Sequence, residues 1–223
     1  MTRLLGTYYI LLKRFGEQNW WPADSEFEVV IGAILTQSTS WKNVEKAIRN
    51  LKKKDVLNPE ALYKIDVKNL SGLIRPAGYH NAKARKLKEF INYLHKNYEG
   101  NLSLMFQVPA ENLRNELLSI WGIGPETADS IMLYAAGKPV FVVDAYTKRI
   151  FSRHGFVDGD IDYYGLKDFS EKNLPKDARV LNEFHALLVR LGKEHCRKTK
   201  PVCIGCPLEK QCKNKKTKIS RKK

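Results

Sequence analysis

Apolar residues recur at helical spacing along nearly the whole of this chain, and only one run, PVFVV at residues 139–143, has the β-branched character of a strand. A lone strand cannot build a sheet, so the fold class is all-α. Leu4, Leu5, Tyr8, Leu11 and Leu12 set the first period, within 2–15, and Glu26–Leu35 continues as an apolar helix ending in the polar run TQSTS. Further periodicity predicts helices over 41–51, 59–65, 67–74, 82–98, 110–120, 126–136, 145–153 and 178–191. The breakers GYHN (78–81), WGIGP (121–125), AGKP (136–139) and HGFVDGD (154–160) mark the main turns. A chain of 223 residues has room for one domain or two compact lobes.

Lys and Arg number 39 against 24 Asp and Glu, a formal charge of +15 that favours a polyanionic partner such as nucleic acid. The excess is uneven, since the stretch from Lys193 onward holds 12 of the basic residues and only 2 of the acidic ones. Its last part, KNKKTKISRKK, has no apolar periodicity and reads as a basic tail over 213–223. No run of about 18 apolar residues exists, so no membrane span and a soluble, cytoplasmic protein are expected.

All four cysteines, Cys196, Cys203, Cys206 and Cys212, fall in one short segment with the spacing C-x6-C-x2-C-x5-C. A disulfide scaffold would spread them through the fold, so a metal or cluster site is the better reading. Crowded thiolates repel unless a cation neutralises them, and both tetrahedral zinc and an iron–sulfur cluster satisfy that need.

The segment LLSIWGIGPETADSIMLYA joins two amphipathic helices through Gly122, Ile123 and Gly124. The glycines allow a sharp turn and a close backbone approach, and Pro125 suits the first position of the next helix. Such a turn can dock a phosphate on its free N–H groups, or serve as an ordinary helix–turn–helix connection. Asp144, at the end of the apolar run and just before AYTKRIFSRHG, is placed to cap a helix. Trp20, Trp21 and Pro22 stand together, and Trp41 follows Gln37 and TQSTS.

The hairpin followed by GKPVFVVD, together with AILTQSTSW and the cysteine segment, resembles the endonuclease III superfamily of helix-hairpin-helix DNA glycosylases over nearly the whole chain. That resemblance implies two helical lobes: one over 25–135 ending in the hairpin, the other from 1–24 plus 136–212 with the cysteine loop. It implies a partner, double-stranded DNA with a flipped damaged base, bound by a monomer across the cleft, with Gly122, Ile123 and Gly124 gripping phosphates. Gln37 matches the residue that enters the gap left by the flipped base, and Asp144 matches the catalytic carboxylate. The cysteines match the ligands of a [4Fe–4S] cluster that takes no part in base excision.

One departure is informative. Members that nick the strand carry a lysine two residues after the second hairpin glycine, and here that position is Glu126. A carboxylate cannot form an imine, so water becomes the expected nucleophile. WWP, Trp41 and Glu126 together are similar to the monofunctional 3-methyladenine glycosylase branch, and they imply a substrate pocket of Trp20, Trp21, Pro22, Trp41, Glu126 and Lys193. His185 and Lys193 could reach the cleft from the last helix. Stacking of a cationic purine on these rings would add a cation–π attraction. The expected function is release of alkylated purines (3-methyladenine, with 7-methylguanine a further candidate) without strand nicking, in a prokaryotic, nucleoid-associated setting. The alternatives are a glycosylase for oxidised pyrimidines, mispaired adenine or uracil, or a damage-binding protein without catalysis.

Overall fold

The computed structural model describes residues 2–212, and no strand occurs among them. The helices are α1 (Arg3–Phe15), α2 (Glu26–Leu35), α3 (Trp41–Lys53), α4 (Pro59–Lys64), α5 (Val67–Leu73), α6 (His80–Tyr98), α7 (Leu102–Gln107), α8 (Ala110–Ser119), α9 (Pro125–Ser130), α10 (Ala145–Arg153), α11 (Tyr163–Asn173) and α12 (Ala178–Glu194). Short 3-10 turns lie at Arg75–Ala77 and Glu209–Gln211, and a π-helical turn, Ile131–Ala135, prolongs α9. The basic run 213–223 lies outside the described residues.

The chain forms two compact units, Trp21–Lys138 and one built from the segment ending at Trp20 and the segment starting at Pro139. In the first, α2 is buried on every side from Phe27 to Leu35, as a central helix must be when all its faces meet protein. Around it α3 turns in Val44, Ala47, Ile48 and Leu51, and α6 turns in Ala84, Leu87, Phe90, Ile91 and Leu94. In the second unit Phe141, Phe151 and Phe184 are fully buried with ring centroids 6.2–6.4 Å apart. Each such side chain contributes roughly 1.5–3 kcal/mol by leaving water.

Local chemistry starts the helices. Ser25, Asn58, Asp66, Asp144, Asp162 and Asp177 each accept a hydrogen bond from the first turn that follows, and Pro59 and Pro125 occupy first helical positions. Residues 139–143 run between α9's extension and α10 without pairing as a strand. The Phe141 N–H donates to the Glu171 carboxylate at 2.8 Å, so a side chain takes the place of a neighbouring strand. Two helices, α7 and α11, go beyond the periodicity: α7 has only six residues, and α11 has a glycine in its first turn. Among the described residues no helix is long and apolar enough to cross a membrane.

Candidate functional site

The hairpin is built from α8, the turn at 120–124 and α9. Its two helices are tied by Arg114, whose Nε donates to Oδ1 of Asp129 at 2.8 Å and whose Nη2 donates to Oδ2 at 3.3 Å. Asp129 is fully buried, so losing the guanidinium would strand a charge in the interior. Ile123 is buried and anchors the turn, with its N–H donating to the Ile120 carbonyl at 3.1 Å.

The two glycines serve opposite faces of that turn. Gly122 has φ +88°, and a Cβ there would collide with the methylenes of Lys86 on α6. Gly124 has ordinary backbone angles, and a Cβ there would meet open space. Trp121 is exposed beneath the Arg85 guanidinium, which lies 4.1 Å from its ring centroid. Glu126 stands exposed in the first turn of α9, where a negative charge suits the helix dipole.

Gln37, just after α2, faces this turn. Its Nε2 donates to the Gly122 carbonyl at 3.0 Å and to Thr127 Oγ1 at 2.9 Å, while its Oε1 accepts from the Lys86 ammonium. Both ends of the amide are therefore engaged with the hairpin.

Trp21, Pro22 and Trp41 line one pocket of about 300 Å³, together with Glu28, Glu45 and Lys52, all within 21–138. The Trp21 and Trp41 rings meet edge-on at 5.1 Å, and Tyr134, in the π-helical turn, lies 5.4 Å from Trp21. Gly32 lies against the Trp21 ring: a Cβ there would come within 3.0 Å of Trp21 Cζ2. Tyr134 and Gly32 were not singled out by the sequence, since an aromatic and a glycine at helical spacing read as packing. Glu28 is buried, and its Oε2 accepts the Asp24 N–H at 3.0 Å and pairs with Lys52 Nζ at 2.8 Å. Trp20 and Lys193 belong to the other unit, and neither they nor Glu126 are among the residues lining this pocket.

Asp144 caps α10. Its Oδ1 accepts the Thr147 N–H at 2.7 Å, and its Oδ2 lies 3.6 Å from His185 Nε2 on α12. Burial alone would raise this carboxyl, but His185 and the Thr147 bonds outweigh it and hold the group below its ordinary value. The result is a buried, ionised carboxylate at a helix N-terminus. Lys193 is exposed two turns further along α12 from His185.

The four cysteines wall one pocket, with Arg153, Pro201 and Val202 among its other neighbours. No group of three His, Cys, Asp or Glu side chains among the described residues is arranged around a single ion. Arginines of α10 hold the loop by its backbone: Arg149 Nε donates to the Cys196 carbonyl at 2.7 Å, and Arg153 donates to the carbonyls of Arg197 at 2.7 Å and Lys198 at 3.0 Å. Arg153 Nη1 also reaches Cys196 Sγ at 3.4 Å. Burial pushes the Cys206 thiol up to about 11, and burial together with the neighbouring cysteines raises Cys203, so both favour the neutral thiol.

The model of the HhH-GPD superfamily of base excision DNA repair proteins matches residues 31–176, a span that holds the hairpin, Gln37 and Asp144. This chain belongs to that superfamily. A Methanocaldococcus jannaschii protein named as a candidate DNA repair glycosylase is 51% identical over 93% of this chain and 94% of its own length. Among solved structures, a trapped covalent intermediate of endonuclease III with DNA is similar with a TM-score of 0.83 at 25% identity, over 99% of this chain and 100% of that one. The 3-methyladenine DNA glycosylase of H. pylori, MagIII, solved with 1,N6-ethenoadenine, is similar with a TM-score of 0.72 at 29% identity, over 85% and 95%.

As an HhH-GPD protein the chain is a DNA glycosylase, and its chemistry is cleavage of an N-glycosidic bond. That reaction develops positive charge on the sugar, which an ionised carboxylate stabilises in a site shielded from water.

Proposed function

We propose that this glycosylase releases alkylated, positively charged purines by direct hydrolysis, without nicking the strand. The observation that carries the proposal is the aromatic pocket. Trp21 and Trp41, held by Gly32 and Tyr134, offer fixed π-surfaces to an extruded base, and a cationic base gains a further ~0.5–2 kcal/mol on a well-placed ring. The likeness to a 3-methyladenine glycosylase supports the same substrate class.

A cationic purine leaves with the bonding electron pair as a neutral base, so the step requires no strong general acid. Asp144 is the catalytic residue in this reading. Its carboxylate faces the charge that appears at C1′, and water then adds there and loses a proton. Glu126 supports hydrolysis over lyase chemistry, since no amine stands at the position two residues after Gly124 to attack C1′. Gly122, Ile123 and Gly124 present the backbone to phosphate, and Gln37 and the pocket residue Pro22 are assigned to contact with DNA or base, while Trp20 and Lys193 lie in the other unit and outside this pocket.

Cys196, Cys203, Cys206 and Cys212 would hold a [4Fe–4S] cluster. Four thiols lining one pocket, with a guanidinium donor beside Cys196, are a donor set whose chemistry suits an anionic iron–sulfur core. The cluster supplies cross-linking of the loop and no step of base release.

The test is incubation with methylated duplex DNA, followed by chromatography of released bases and scoring of strand breaks before and after alkali. Release of 3-methyladenine with breaks only after alkali is expected. Nicking without alkali overturns the hydrolytic assignment, release of only neutral bases overturns the substrate class, and tight binding without release makes the protein a damage binder.

A further inference from the structure

Gly122, Lys86 and Gln37 form a closed circuit of contacts on the inner face of the hairpin. The stem of Lys86 fills the volume that a side chain at position 122 would need. Its ammonium continues to Gln37 Oε1, and Gln37 Nε2 returns to the Gly122 carbonyl and to Thr127 in the first turn of α9. The Gly122 carbonyl faces Gln37, while a Cβ at Gly124 would meet open space. The contacts lie within one compact unit and join α2, α6 and both sides of the turn.

We infer that Lys86 is a positioning residue for DNA binding, acting through Gln37 to hold the turn in the shape that offers its outer N–H groups to a phosphate. The charge of Lys86 serves an internal acceptor. A hydrogen bond to a charged group is among the stronger polar contacts, and a pre-set loop spares the ordering that binding would otherwise require. The inference rests on superfamily membership and the hairpin, and is independent of which base is released.

The experiment measures binding of an undamaged duplex by the full chain across a salt series, with turnover of a damaged duplex at saturation alongside. Lys86→Met keeps the stem over Gly122 and removes the ammonium; Gln37→Glu keeps an acceptor for Lys86 and removes both donors. Each is expected to weaken binding about fivefold to tenfold with an unchanged salt slope, and Lys86→Met is expected to leave saturated turnover unchanged. The double variant is expected to be no weaker than the weaker single one, because both break the same circuit. Lys86→Arg, which restores a cationic donor, is expected to recover most of the loss.

A fall of about one in the salt slope for Lys86→Met would mean that Lys86 itself meets a phosphate, which overturns the inference. Additive losses, or unchanged binding in both variants, overturn it as well. Loss of saturated turnover in Gln37→Glu with intact binding of undamaged duplex would place Gln37 at the extruded base instead of the hairpin. Should Lys86→Met fail to fold, Gln37→Glu and Lys86→Arg still decide the matter by the same readouts.

Discussion

His185 Nε2 stands 3.6 Å from Asp144 Oδ2, with the two side chains 8% and 12% exposed, and this pairing keeps a buried carboxyl ionised. The other oxygen of Asp144 is engaged with Thr147 at the start of α10, so one side chain both caps a helix and carries negative charge.

Asp144→Asn separates these duties. Asparagine caps as well as aspartate, so thermal stability should change little, while base release falls by about 10²–10³-fold and duplex binding persists. Asp144→Ala should in addition lower stability by about 1 kcal/mol. Single-turnover release and thermal melts of both variants check this.

The pH dependence follows from the same contacts. The folded carboxyl lies below its ordinary value of 3.8, so its contribution to stability is present above that value and lost as the pH falls through the folded one. His185→Gln leaves burial opposed only by Thr147. The acid limb of kcat/KM should then move to higher pH, and acid unfolding should begin earlier.

Glu126 can be tested by gain of function. Borohydride trapping with abasic or damaged DNA is expected to give no covalent adduct with the native chain. Glu126→Lys, which places an amine at the second position of α9, is expected to give one, visible as a shifted band on denaturing gels.

Gly32→Ala puts a methyl group 3.0 Å from Trp21 Cζ2, and the indole must shift. Because α2 is buried all round, the helix has no room to yield. Release of a cationic purine should fall by about threefold to thirtyfold, the span of one cation–π contact. A change in tryptophan emission would accompany it, with a smaller effect on a neutral base.

The cysteine loop predicts iron and acid-labile sulfide in equal amounts, with broad visible absorption. Cys206→Ser should lose the colour and lower the melting temperature, since the loop docks on α10 through Arg149 and Arg153. A colourless protein containing zinc would replace the cluster with a structural metal site.

Much of this was legible in the residues. The periods at 26–35, 110–120 and 145–153 mark helices that the structure contains, because each joins a strong apolar repeat to a capping residue or a clear break. The cysteine spacing and the Gly122–Gly124 turn were visible because they are local in sequence. Contacts between distant segments were hidden. Nothing in the order of residues says that Lys86 lies over Gly122, that Gly32 lies against Trp21, or that His185 faces Asp144. Tyr134, which reads as packing at helical spacing, was hidden further because the π-helical turn rotates it relative to an ideal α-helix.

The hairpin turn has an inside and an outside, with one glycine assigned to each. A library screened for folding would select against replacement of Gly122, whose φ of +88° strains any side chain and where the Lys86 stem would have to move, yet would pass alanine at Gly124. Only a screen that reads DNA contact would register the second site. Two glycines two positions apart should thus carry separable mutational signatures, one of folding and one of recognition.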